Sequence, residues 1–133
     1  MFLLDTNVLS ELRRPRQPVK DWLVAQDHRT LFVSVMSLGE VEKGIRRVAA
    51  SDEIFASRLR GWLDETTSLF RHNTLPVTLD IALAWGRIAA GRSRDTADAL
   101  IAATAISHDL TLVTRNIRDF DDLPLKVFNP WTQ

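Results

Sequence analysis

The chain contains no cysteine, which excludes disulfides and thiolate-held metal centres. Histidine is scarce too: His28, His72 and His108 are scattered without the spacing of a ligand pair. Any metal ion would have to be held by carboxylates. Net charge is also missing, because 17 basic residues cancel 17 acidic ones. No overall basic field can draw in a nucleic acid, so such attraction has to be local. Arginine outnumbers lysine 14 to 3, a ratio that suits bidentate phosphate contacts and that a compositional bias of the genome would equally produce. No apolar run reaches the length of a membrane span, and Met1 leads directly into Phe2-Leu3-Leu4 without a basic lead or small-residue cleavage site. The expectation is a cytoplasmic protein with no membrane partner. There is no internal repeat, low-complexity tract or linker, and 133 residues suit one domain, 1–133, with a real hydrophobic core.

What is present is organised around residues 95–119. From Ala97 to Ile106 only Asp98 and Thr104 interrupt an apolar run, which on a helix means burial on nearly all sides. Thr111 to Thr114 is a short β-branched run that reads as a buried strand, followed at once by polar Arg115, Asn116, Arg118 and Asp119. Helix, strand and polar loop form half of a βαβ unit.

The same grammar runs along the rest of the chain. Phe2-Leu3-Leu4 stops at Asp5-Thr6-Asn7, after which Val8, Leu9 and Leu12 recur at helical spacing. Asp5 therefore sits at the carboxyl end of a first strand, where it reads equally well as a helix cap or as a functional acid. Arg13-Arg14-Pro15-Arg16-Gln17-Pro18 ends that helix, and its arginines suit either a solvated turn or phosphate contacts. A second helix is expected from Val19 to Gln26 with Trp22 and Leu23 buried, then a strand from Leu31 to Val35. Ser37-x-x-Glu40 has capping-box spacing and opens a third helix; Asp95-x-x-Asp98 has much the same excuse. Glu42 points to another face, toward solvent. Residues 51–70 form a long amphipathic arm carrying Phe55, Leu59, Trp62, Leu63 and Phe70, which either packs on the core or meets a partner. Thr74 to Val77 makes a strand that Pro76 confines to an edge or a strand end. Thr78 caps a helix with Ile81, Ala82, Trp85, Ile88 and Ala89 on one side, and Leu125 to Phe128 forms a last strand.

Strands alternating with helices predict an α/β fold, with a central, mostly parallel sheet flanked by helices on both faces. All strand carboxyl ends then share one edge, and Asp5, Glu40, Asp98, Asn116 and Asp119 gather there. Carboxylates brought together repel unless they are protonated or bridged by a cation. Mg²⁺ or Mn²⁺ suits them, since hard cations take oxygen ligands and retain waters that can act as nucleophile. Metal-assisted phosphoester hydrolysis is the chemistry such a set supports.

Four segments, LLDTNVLSEL at 3–12, SLGEVEKGI at 37–45, DALIAATAISHDLTLVTRNIRDF at 98–120 and VFNPW at 127–131, together resemble the PIN-domain ribonucleases. More narrowly, they resemble the VapC and FitB-like toxins of bacterial toxin–antitoxin pairs. The resemblance spans essentially the whole chain. It implies a metal-dependent endoribonuclease that leaves 5′-phosphate and 3′-hydroxyl ends and slows translation when released from its antitoxin. By the same resemblance Asp5, Glu40 and Asp98 are the metal-site acids, with Asp5 and Asp98 as ligands, and Thr6 and Thr114 are hydroxyl residues beside them. Some relatives carry an acid directly after Thr-Arg; here that place holds Asn116, with Asp119 three residues on, so one tightly held ion is expected. Arg13, Arg14, Arg46, Arg92, Arg94 and Arg115 are candidates for RNA phosphates by charge and position. Partners implied are a VapB/FitA-like antitoxin, an RNA substrate, DNA only through the antitoxin, and a second copy in a homodimer. The arm at 51–70 is a candidate for the antitoxin groove.

Three other readings compete. A haloacid-dehalogenase-type phosphatase also puts an Asp after its first strand but needs a second acid at the position of Asn7. A receiver-like domain needs a third-strand Asp with a partnering lysine, and Lys126 is the only lysine in the last third. A degenerate PIN fold that only binds RNA or protein has Asn116 as its one hint.

Overall fold

Short apolar strands pair side by side because each can bury both faces under helices. Phe2–Leu4 (β1) lies at the centre, between Leu31–Ser34 (β2) and Thr111–Val113 (β4), with Thr74–Leu75 (β3) and Val127–Phe128 (β5) at the edges. The order is β3-β2-β1-β4-β5, and every pair is parallel, Leu3 aligning with Phe32 on one side and Leu112 on the other. These features come from a computed structural model that describes residues 1–132. None of the described helices is long and apolar enough to cross a membrane.

The helices are Thr6–Glu11 (α1), Gln17–Val24 (α2), Val35–Ala49 (α3), Glu53–Leu69 (α4), Leu79–Ala89 (α5) and Thr96–Ser107 (α6). Pleating divides the sheet residues between two cores. Leu3 and Leu112 pack with Ile81, Ile88, Ile101 and Phe120 under α5 and α6; Leu4, Val33 and Val113 pack with Val8, Leu9, Trp22 and Phe70 on the opposite face. A third, smaller cluster of Ile45, Ala56 and Leu63 joins α3 to α4. As its composition predicts, α6 is buried nearly all round, with Ala97, Ala99 and Ile101 to Ala105 inside. Thr104 is tolerated there because its hydroxyl donates to the Leu100 carbonyl at 2.8 Å.

Several local expectations need correction. The second helix starts at Gln17, with Pro18 in its first turn where the missing N–H costs nothing; it ends at Val24, and Val19 joins Trp22 as its buried pair while Leu23 is half-buried. Strand β2 stops at Ser34, one residue early, because Ser34 caps α3 by accepting from the Met36 N–H at 3.0 Å. Thr78 does cap α5, but Ala84 lies inside and Ala82 and Ala89 are exposed; alanines say little about which way they face. Glu42 does not stand free in solvent: it bridges Arg60 of α4 at 2.5 Å and Arg46 at 3.7 Å. Strand β3 does lie at the sheet edge and ends at Leu75, before Pro76.

Candidate active site

Strand order switches direction between β1 and β4, and the crevice beyond their carboxyl ends is where parallel sheets place ligands. Asp5 and Thr114 are the residues immediately after those two strands, held there as the Asp5 N–H donates to the Val113 carbonyl at 2.9 Å. Both are buried, Asp5 at 4 % and Thr114 at 0 % exposure. Asp5 does cap α1, its Oδ1 accepting from the Thr6 N–H at 2.8 Å. Its other oxygen accepts from the Thr114 hydroxyl at 2.8 Å, a contact between residues 109 apart in the chain that capping does not call for. Thr114 Oγ1 in turn accepts from the Asn116 N–H at 3.1 Å, which fixes the start of the polar loop.

Glu40 loses its structural excuse. Because α3 starts at Val35, Ser37 is buried in its first turn with a hydroxyl that finds no partner among the described residues, and no capping box forms. Glu40 instead accepts a hydrogen bond from Thr6 Oγ1 at 2.5 Å, so α3 and α1 are joined through the site. Asp98 loses its excuse as well. Asp95 caps α6 by accepting from the Ala97 N–H at 3.1 Å, while the half-buried Asp98 carboxylate makes no hydrogen bond to a described residue.

The electrostatics follow from this crowding. Asp98 is pushed up from 3.8 to about 6, by burial first and then by Asp5, Asp95, Glu40 and Asp119. Asp5 is also raised, chiefly by burial, against the pull of the Thr114 hydroxyl and the Thr6 N–H. Among the described residues no three acids close into a cage of metal-ligand spacing. The donor chemistry nonetheless fits a hard divalent cation. A carboxylate without a hydrogen-bond donor sits beside other acids, and Mg²⁺ commonly takes one or two carboxylates and keeps waters for its remaining positions. Asp5 and Asp98 are the residues that would hold it.

Asn7 is the participant that motif reading missed. Its Nδ2 reaches Asp5 Oδ2 and Thr114 Oγ1, each at 3.4 Å, and its Oδ1 accepts from the Arg115 N–H at 3.3 Å. The only hint was a polar residue two places after a strand-end acid.

A family model described as PIN domain matches residues 2–125. This chain belongs to the PIN domain family. Among its relatives, the VapC ribonuclease Y4jK of Sinorhizobium fredii is 34% identical, with 98% of each chain covered. Toxin FitB of Neisseria gonorrhoeae is 31% identical over 98% of this chain and 99% of its own. The crystal structure of FitAcB from the same organism superposes with a TM-score of 0.88 at 31% identity, covering 100% of both chains.

On the PIN scaffold the six candidate arginines part company. Arg115 lies over the Trp131 ring, 5.2 Å from its centroid, at the mouth of the loop that carries Asn116 and Asp119. Arg14 is exposed and makes no ion pair with a described residue. Arg13 is half-buried over Phe55 at 5.3 Å, and Arg46 pairs with Glu42. Arg94 has to be removed from the list of RNA contacts: its side chain is 4% exposed and pairs with Asp122. Arg92 is likewise engaged, by Asp121 and Asp122.

The Thr114 hydroxyl predicts a measurable stability effect. Thr114→Val keeps the shape but leaves Asp5 without its buried donor, a charge-assisted bond worth about 1.5–3 kcal/mol. Urea unfolding should show that loss, and Thr114→Ser should recover most of it.

Proposed function

We propose that this protein is a Mg²⁺- or Mn²⁺-dependent endoribonuclease, the toxin of a toxin–antitoxin pair, and that Asp5, Glu40 and Asp98 carry its chemistry. The observation that carries the reading is the undonated Asp98 carboxylate crowded by Asp5, Glu40 and Asp119 at the β1/β4 crevice of a PIN fold. The ribonuclease names of the relatives and the toxin–antitoxin structures among the neighbours support it.

A bound divalent ion would supply charge neutralisation at the phosphate and acidify a water. The protein groups do the rest. Asp5 and Asp98 would hold the ion, with Asp5 kept rigid by Thr114, Thr6 and Asn7. Glu40, oriented by Thr6 Oγ1, or Asp98 takes the proton from the attacking water. Water adds at phosphorus, the bond to the 3′ oxygen breaks, that oxygen takes up a proton from solvent, and 5′-phosphate and 3′-hydroxyl ends remain. Asn116 lines the loop without adding charge, which favours one tightly held ion.

Arg115 is our leading phosphate contact. Arg115→Ala should weaken RNA binding across sequences and reduce the slope of log K against log salt by about 1. Fluorescence anisotropy over a salt series reads this directly.

Partner readings rest on similar support. Leu12, Leu23, Leu31, Trp62, Leu69 and Phe70 line an apolar cavity of about 380 Å³ beside α4, suited to a segment of a small antitoxin. Exposed Leu79 and Leu83 on α5 give an apolar face for a second copy. A solved structure has FitAB bound to a DNA fragment, and any DNA contact of this chain is assigned to its antitoxin. The test is cleavage of total bacterial RNA by purified protein with Mg²⁺ or Mn²⁺. Discrete products with 5′-phosphates, absent in EDTA, support the nuclease; intact RNA in the presence of demonstrated metal binding favours a PIN fold that only binds.

A further inference from the structure

Two arginines lie in the connection between α5 and α6, six and four residues ahead of Asp98. Their guanidinium groups both reach the loop on the far side of β4. Arg92 donates to the Arg118 carbonyl at 2.8 Å and to Asp121 Oδ1 at 3.0 Å, with Asp122 at 3.5 Å. Arg94 donates to Asp122 Oδ1 at 2.5 Å. The loop they grip contains the 3-10 turn Ile117–Phe120, which carries Asp119. Helix α6 carries Asp98. The ion pairs therefore join the segment leading into one site acid to the segment leaving another.

Such a tie has a physical reason. Asp98 and Asp119 repel one another, so nothing in their own interaction keeps them together before a cation arrives. Arg92 is 44% exposed, and pairs of that kind contribute little. Arg94 differs: its side chain is 4% exposed, and its Nε and Nη1 are buried with no hydrogen-bond partner among the described residues. A buried guanidinium held through a single partner makes that partner hard to replace.

We propose that Arg94 and Asp122 form a clamp that positions Asp98 against the Asn116–Asp119 loop, making both of them positioning residues for the divalent ion. The inference rests on the metal-dependent reading above, because a clamp of this kind matters only if the acids share a cation. It assigns Arg94 and Asp122 a task separate from contacting RNA. It also predicts an asymmetry. Losing Arg94 leaves Asp122, one-third exposed, able to hydrate; losing Asp122 leaves a buried positive charge unpaired, and the melting temperature falls further.

The test uses the full chain and two readouts besides cleavage. Hydrogen–deuterium exchange over residues 115–122 should speed up in Arg94→Gln and Asp122→Asn but not in Arg92→Gln. Mn²⁺ affinity by calorimetry, measured well below each variant's melting temperature, should weaken about tenfold in the first two and recover partly in Arg94→Lys. Unchanged exchange with unchanged affinity would overturn the clamp. Faster exchange with wild-type Mn²⁺ affinity would also overturn it, reducing the pair to a structural contact. Failure of the underlying reading looks different, since the wild type would then bind no Mn²⁺ at all.

Discussion

Asp98→Asn should lower RNA cleavage by about 10³-fold or more, while making the metal-free protein harder to unfold above pH 6. The first effect follows from the proposed role of Asp98 as a ligand to an ion whose charge stabilisation would be worth several kcal/mol in the transition state, at 1.36 kcal/mol per factor of ten. The second follows from the raised carboxyl. With a value of about 6 in the fold against 3.8 outside it, folded Asp98 holds a proton that the unfolded chain has already released. Between pH 4 and pH 6 the folded state thus binds more protons, and stability falls as pH rises through that window. Asparagine has no proton to lose, so this part of the fall disappears in the variant. Mn²⁺ should erase the difference from the other side. At one hundred times Kd it adds about 2.7 kcal/mol to the wild type and nothing comparable to Asp98→Asn. Thermal melts across pH with and without Mn²⁺, beside single-turnover cleavage, read both effects. A variant that is less stable than wild type at pH 8 without metal would show that Asp98 is a structural cap after all.

Phe120→Ala should be the most damaging apolar substitution near the site. Phe120 is 1% exposed and packs with Leu3, Ile81, Ile101 and Leu112 under α5 and α6, so truncation leaves a cavity costing about 3–5 kcal/mol. It also ends the turn that presents Asp119, one residue before the pair of acids that Arg92 and Arg94 hold. Cleavage should therefore fall together with stability, which urea unfolding and activity at 15 °C would separate. Phe120→Leu refills much of the volume and should recover more than half of both losses.

The legible part of this fold was the part that depends on hydrophobic period. A helix as apolar as Ala97–Ile106 has few places to go, and strand-end polar residues mark the ligand edge of a parallel sheet wherever the strands lie. What periodicity cannot carry is a choice between near-identical local signals. Ser34 and Ser37 both suit a cap, and the Met36 N–H bonded to Ser34 Oγ at the end of β2 decides it; that three-residue difference, less than one helical turn, releases Glu40 from a capping role. Exposure of long side chains was equally hidden. Arg94 and Arg115 look alike as residue types, yet one is enclosed against Asp122 and the other lies on Trp131 at the loop. The Asp5–Thr114 bond spans 109 residues, and only the register of β1 beside β4 brings its ends together.

Calorimetric titration of Mn²⁺ into the wild-type chain, beside Asp5→Asn and Asp98→Asn, tests most directly whether these acids form a cation site. One tight site per chain, lost in both variants, is the expected result. Binding that is absent from the wild type, or that survives both substitutions, would contradict it.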